Sequence, residues 1–133
     1  MYRKSYTGFV LWLIVFVVLM LALAFIPSED EALITRLLLN LCTAGLAVLT
    51  WMIWRNERVY WYTGVSFEEA EAAGSERRKE YAFKHFWLFG MCALIALAFT
   101  LGAHLMGLPW WVDMAVVTIG LMTAAFRTTA YKL

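Results

Sequence analysis

The sequence is poor in charge, in proline and in paired cysteine, and each shortage removes a class of protein. Only 16% of its 133 residues are charged against 63% apolar, a balance outside that of soluble domains. A net charge of +1 leaves no clustered basic face with which to neutralise phosphates, so nucleic acid is not an expected partner. Cys42 and Cys92 each stand alone in an apolar run. There is therefore no CxxC pair for redox work and no His/Cys cluster with metal-ligand spacing; both cysteines are read as small core residues between helices. His85 and His104, the two histidines, lie 19 residues apart, about 28 Å along a single helix at the standard rise. One haem iron cannot take both within one chain. No serine lies in a nucleophile motif, and His85, Arg77 and Arg78 have only dispersed glutamates near them in sequence. The expectation is a protein without cofactor, metal or catalytic site.

What the chain has instead is long apolar runs. Residues 8–26, GFVLWLIVFVVLMLALAFI, form an unbroken run of 19, enough at about 1.5 Å per residue to cross a hydrocarbon core of about 30 Å. Arg3 and Lys4 before it and Ala22-Leu23-Ala24 near its end also suit a cleavable signal sequence; a retained helix is the expectation adopted. Pro27 stops the run. Ser28-Glu29-Asp30-Glu31 then make a tight acidic turn, with Ser28 the expected N-cap and the carboxylates suited to the positive end of the next helix. A second run covers 32–54 and closes on Trp51 and Trp54, which mark the lipid headgroup level. A third covers 86–106, Gly107-Leu108-Pro109 turn the chain, and a shorter fourth covers 110–126. The expected fold is all-α: one polytopic membrane domain over 1–133, its four transmembrane helices arranged as two hairpins. Size and span number resemble the small multidrug transporters, which depend on an acidic residue deep in the first helix. Residues 8–26 hold none, and the resemblance stops at size.

Residues 55–85, RNERVYWYTGVSFEEAEAAGSERRKEYAFKH, are the one long hydrophilic stretch and connect the hairpins. Their first part is expected to prolong the second helix by about two turns, with Tyr60, Trp61 and Tyr62 in the membrane interface and Gly64 as C-terminal cap. Ser66 and Glu69 have the spacing of a capping box. They open an amphipathic helix in which Phe67, Ala70, Gly74, Arg78 and Tyr81 share a face. A break at Gly74-Ser75 is expected, with a single helix through 66–85 as the alternative. Six Lys/Arg and six Asp/Glu balance over the connector, so attraction to lipid is expected to be weak. Two readings follow: Tyr60, Trp61, Tyr62, Phe67 and Tyr81 form a docking surface for a partner, or the segment only links and anchors the hairpins.

Ten of the eleven Lys/Arg fall in the amino end, the connector and the carboxyl end, which by the positive-inside rule places all three on the cytoplasmic side of an inner membrane. Arg36 is the exception. Small and polar residues, which let helices approach and bond in lipid, form stripes on three helices: Arg36, Asn40, Thr43, Ala47 and Thr50; Cys92, Ala96, Thr100 and His104; Asp113, Gly120, Ala124 and Thr128. Helix one has no stripe, so it is expected to face lipid or another subunit. All three stripes end externally in an ionisable group, and Arg36 and Asp113 lie at similar depth. They are expected to pair, with His104 and Asn40 supplying hydrogen bonds, because a charge in the membrane calls for a partner or a function. The cluster Arg36, Asn40, His104, Asp113 is then either a structural cap on the bundle or an external site for a small ligand or ion. The function expected is a small accessory or regulatory membrane protein, not an enzyme, working through protein contacts as a homo-oligomer or within a larger membrane complex. The alternative is a subunit of an oligomeric small-solute or ion transporter or channel with an external polar vestibule.

Overall fold

Cap chemistry sets the helix boundaries. The computed structural model describes residues 1–133 as four helices, α1 (Thr7–Ala24), α2 (Glu31–Asn56), α3 (Phe67–Leu105) and α4 (Trp110–Thr128), with a single 3-10 turn at Val59–Trp61 and no strand. Asp30, rather than Ser28, caps α2: its carboxylate accepts from the Leu33 N–H at 3.0 Å. Ser28 sits too far upstream for that reach, and its hydroxyl accepts instead from the Asp30 N–H at 3.1 Å. The capping box forms as expected, Ser66 Oγ accepting from the Glu69 N–H and Glu69 Oε2 from the Ser66 N–H.

The second helix does not continue into the connector. It ends at Asn56 because Glu57 adopts a left-handed conformation, φ 56°. The Arg58 N–H then bonds back to the Ile53 carbonyl and the Glu57 N–H to that of Trp54, the paired bonds of a Schellman ending. Tyr60 and Trp61 consequently belong to the 3-10 turn, and Gly64, φ 92°, turns the chain ahead of Ser66 instead of closing a helix. Gly74 breaks α3, as expected, with φ 81° and ψ 163°, backbone that only glycine adopts without strain. From Ser75 the helix runs without further interruption to Leu105.

Three helices, α1, α2 and α3, are long and apolar enough to cross a membrane. α4 is not among them: it has 19 residues and carries Asp113 in its first turn and Arg127 in its last. Polar residues take an unusually large share of the interior, and large apolar ones of the surface. Seven of the 18 buried residues are polar or charged, while Leu, Ile, Val, Phe and Trp side chains stand outward along every long helix. An apolar surface so continuous suits contact with lipid or with other proteins.

The interior follows the stripes with two shifts. Arg36, Thr43 and Thr50 are buried on α2, Ala96 and Thr100 on α3, and Asp113 and Ala124 on α4. At the end of α3, however, Ala103 takes the inner position and His104 is exposed, and on α4 Val117 is buried where Gly120 is not. On α3 the cause is the 3.6-residue period, which carries a strict spacing of four around the helix. No residue of α1 is buried, in keeping with a helix that faces outward. It still docks on α2. Phe16 stacks on Trp12 and lies over Gly45, where an added Cβ would come within 2.5 Å of the Phe16 ring. Trp12 Nε1 donates to the Gly45 carbonyl at 3.1 Å.

Candidate functional site

Two places gather polar chemistry, one at the end of the bundle bearing the two short turns and one at the connector end. At the turn end, Arg36 is held on every side. Its Nε donates to Asp113 Oδ2 at 2.8 Å and its Nη2 to Asp113 Oδ1 at 3.2 Å. Nη2 also donates to the Leu108 carbonyl in the turn between α3 and α4. Nη1 lies 3.2 Å from His104 Nδ1, a contact that requires this nitrogen to be the unprotonated acceptor. Arg36 is 4% exposed and Asp113 not at all. One guanidinium thus bonds α2 to α4, to the end of α3 and to an otherwise unpaired turn carbonyl, in the bidentate geometry that favours Arg over Lys.

Asn40 belongs to the same region but not to the ion pair itself. Its Nδ2 donates to the Arg36 backbone carbonyl at 2.9 Å and to Thr100 Oγ1 at 2.8 Å. That ties α2 to α3 one turn further in. The Thr100 hydroxyl donates to the Ala96 carbonyl, and Thr43 and Thr50 donate to carbonyls of their own helix. The buried polar groups between the helices are therefore satisfied, as a low-dielectric interior requires. A cavity of about 120 Å³ lies between α2, α3 and α4, lined mainly by apolar side chains such as Ile95, Phe99 and Val117.

At the connector end, the five aromatic residues singled out from the sequence are packed inward. Tyr60 is 5% and Tyr81 8% exposed; Trp61, Tyr62 and Phe67 are half-buried and pack with them around Ile53, Val59, Ala70 and Ala82. Apolar and aromatic residues in VYWY packed against small ones such as Ala70 and Ala82 give this segment a core of its own, and both chain ends help to close it. Tyr2 stacks on Phe67 with ring centroids 5.3 Å apart, and its hydroxyl donates to the Glu57 carbonyl. Ser5 is bound through its N–H and carbonyl by Tyr60 and through its carbonyl by Trp61 Nε1. From the carboxyl end, Tyr131 packs edge-on against His85.

The centre of this cap is a pair that sequence reasoning missed. Arg78 donates through Nη2 and Nε to Glu57 Oε2 at 2.9 and 3.1 Å, donates through Nη1 to the Ala70 carbonyl, and lies 3.9 Å above the Tyr2 ring. Ser75 Oγ and Lys79 Nζ approach the other Glu57 oxygen at 2.8 and 3.5 Å. Burial alone would raise the Glu57 pKa, but the Ser75 and Arg78 hydrogen bonds and the neighbouring cations outweigh it and hold the carboxyl below its usual range. These bonds also restrain the left-handed backbone at Glu57, which costs a non-glycine residue about 1–2 kcal/mol. The inward spacing of Arg78 was legible; its partner across a non-helical turn was not. Burial raises the pKa of Tyr2 to about 12 and that of Tyr62 further. Tyr62 Oη is the one buried side-chain polar atom without a hydrogen-bond partner.

Beside this core a groove of about 500 Å³ runs between the first part of α3 and the C-terminal residues, bordered by Glu69, Ala72, Arg77, Tyr81, Tyr131 and Lys132. Of the five aromatics, only Tyr81 reaches it. Nowhere in the chain do three or more His, Cys, Asp or Glu side chains gather as a metal site would need. Compared with protein-family models, with curated proteins and with solved structures, the chain matches none.

Proposed function

We propose that the chain is a four-span inner-membrane protein, with both termini and the connector on the cytoplasmic side, that serves as an accessory or regulatory subunit by binding a partner protein at its connector end. The observation that carries this reading is the groove of about 500 Å³ on the folded cap. It mixes a carboxylate, two cations and two tyrosines over a buried aromatic support, the combination of anchor and polar rim found where proteins meet. The ion pair at the opposite end acts in this reading as a staple, since Arg36 spends its donors on protein acceptors.

A photoreactive residue at Ala72, exposed on the groove edge, is expected to trap one discrete partner band in native membranes. Ala73→Trp, which fills the groove, should abolish it, and a probe at the outward-facing Ile119 should not give the same band. Absence of any specific band at Ala72 refutes the docking reading. Solute or ion flux through proteoliposomes that disappears with Asp113→Asn would replace it with a transport function.

A further inference from the structure

We infer that the connector ends of α3 and α4 form a binding site for one anionic phospholipid, its phosphate held by Lys84 and Arg127 and one acyl chain laid along α3. The inference rests on the membrane-spanning reading above. It starts from a cavity of about 250 Å³ lined by Phe83, Lys84, Trp87, Leu88, Arg127 and Tyr131. Two cations from different helices share this cavity with three aromatic side chains, at the level where the apolar segment of α3 begins. Aromatic rings and long basic side chains are the residues that settle at the headgroup boundary of a bilayer.

The cations have little else to do. Arg127 forms no ion pair within the chain, and Lys84 pairs only with Glu80 on its own helix, an exposed contact that contributes little. A phosphate can therefore take both at small cost.

The same wall continues away from the headgroup level. A second cavity, about 240 Å³, shares Phe83 and Trp87 with the first and extends past Phe86, Gly90, Met91 and Leu94. Its notch is Gly90, where an added Cβ would have no neighbour closer than 4.0 Å. A charged pocket that opens onto an apolar groove matches an amphiphile with an anionic head and a hydrocarbon tail. Although connector charges balance overall, here two positive side chains line one cavity and the adjoining groove supplies the apolar half.

The test is native mass spectrometry of the full chain in detergent, titrated separately with phosphatidylglycerol and phosphatidylcholine. The wild type should retain one phosphatidylglycerol in preference to phosphatidylcholine. Lys84→Gln and Arg127→Gln should each weaken that lipid about five-fold, as loss of one surface cation implies, whereas Arg127→Lys should keep it. Gly90→Leu, which leaves the charges intact, should weaken it by blocking the groove, and Arg55→Gln, at an exposed basic residue outside the site, should not. Inorganic phosphate at the same concentration should not displace the lipid. No preference for phosphatidylglycerol, equal loss with Arg55→Gln, or full displacement by phosphate overturns the proposal. Alkaline carbonate extraction separates the two readings: release of the chain from membranes defeats the spanning reading and this one together, while retention without a lipid preference defeats this one alone.

Discussion

Removing the charge of Asp113 asks whether the turn-end cluster holds the bundle together. In Asp113→Asn the side-chain shape is kept, but a buried guanidinium loses the negative charge and one of the two acceptor oxygens now at 2.8 and 3.2 Å, and keeps only neutral acceptors. Two unit charges at about 3 Å interact by about 5 kcal/mol at an effective dielectric near 20. Stripping one partner from a buried pair costs about 3–5 kcal/mol, because the other charge stays desolvated. Arg36→Gln should cost a similar amount, this time stranding a carboxylate that is fully buried. The double variant Arg36→Gln/Asp113→Asn leaves two amides that can bond to each other, so it should lose less than the sum, with a coupling of about 2–3 kcal/mol. The cycle can be read by unfolding in mixed micelles with increasing ionic detergent, followed by fluorescence of the seven tryptophans. An arginine whose head merely rises to the headgroups would behave as a surface pair, with coupling below about 1 kcal/mol. That result would refute the account of Arg36 as a staple.

Other perturbations probe the remaining joints. Gly45→Leu drives a side chain into the Phe16 ring and should destabilise the α1–α2 contact by about 1–3 kcal/mol; Phe16→Ala in the same chain should recover part of it in the same unfolding assay. Gly74→Ala should cost about 1–3 kcal/mol through backbone strain alone, since no atom crowds that position. Faster proteolysis between residues 57 and 75, with the spans intact, would register it. The Glu57 carboxyl titrates below its ordinary 4.5 when folded, so its stabilisation is complete above that value and lost as pH falls through the lowered one. Protease resistance of the connector should therefore drop below about pH 4.5 in the wild type, and Glu57→Gln should be weaker at neutral pH with a flatter acid dependence.

The long helices were legible because apolar length in this range has few other uses, and the approach of Arg36 to Asp113 followed from depth and the scarcity of buried charge. The capping box and the break at Gly74 were also readable, each resting on a local rule. What could not be read was chemistry that depends on a neighbour distant in sequence. Glu57 looks like an ordinary helical glutamate until Arg78, Ser75 and Lys79 close around it. Gly45 lies off the small-residue stripe of α2, and its partner is the aromatic face of α1. The aromatics of the connector were legible as a group; their inward direction depended on Tyr2 and Tyr131 arriving from the two ends of the chain.

That meeting of the ends has a consequence for how the molecule is made. Tyr2 and the backbone of Ser5 find their partners at residues 57 to 78. At a synthesis rate of about 5–20 residues per second, the 76 positions separating Tyr2 from Arg78 mean a wait of about 4–15 s. Glu57, Tyr60 and Trp61 come earlier in that interval, and Arg78, which lies over the Tyr2 ring, comes last. The first hairpin can be complete while the cap is not, so closure of the aromatic cap reports that translation has passed the connector. A bulky tag fused ahead of Tyr2 would interfere with that late event, whereas the turn at Ser28, exposed and remote from it, is the safer place for an epitope.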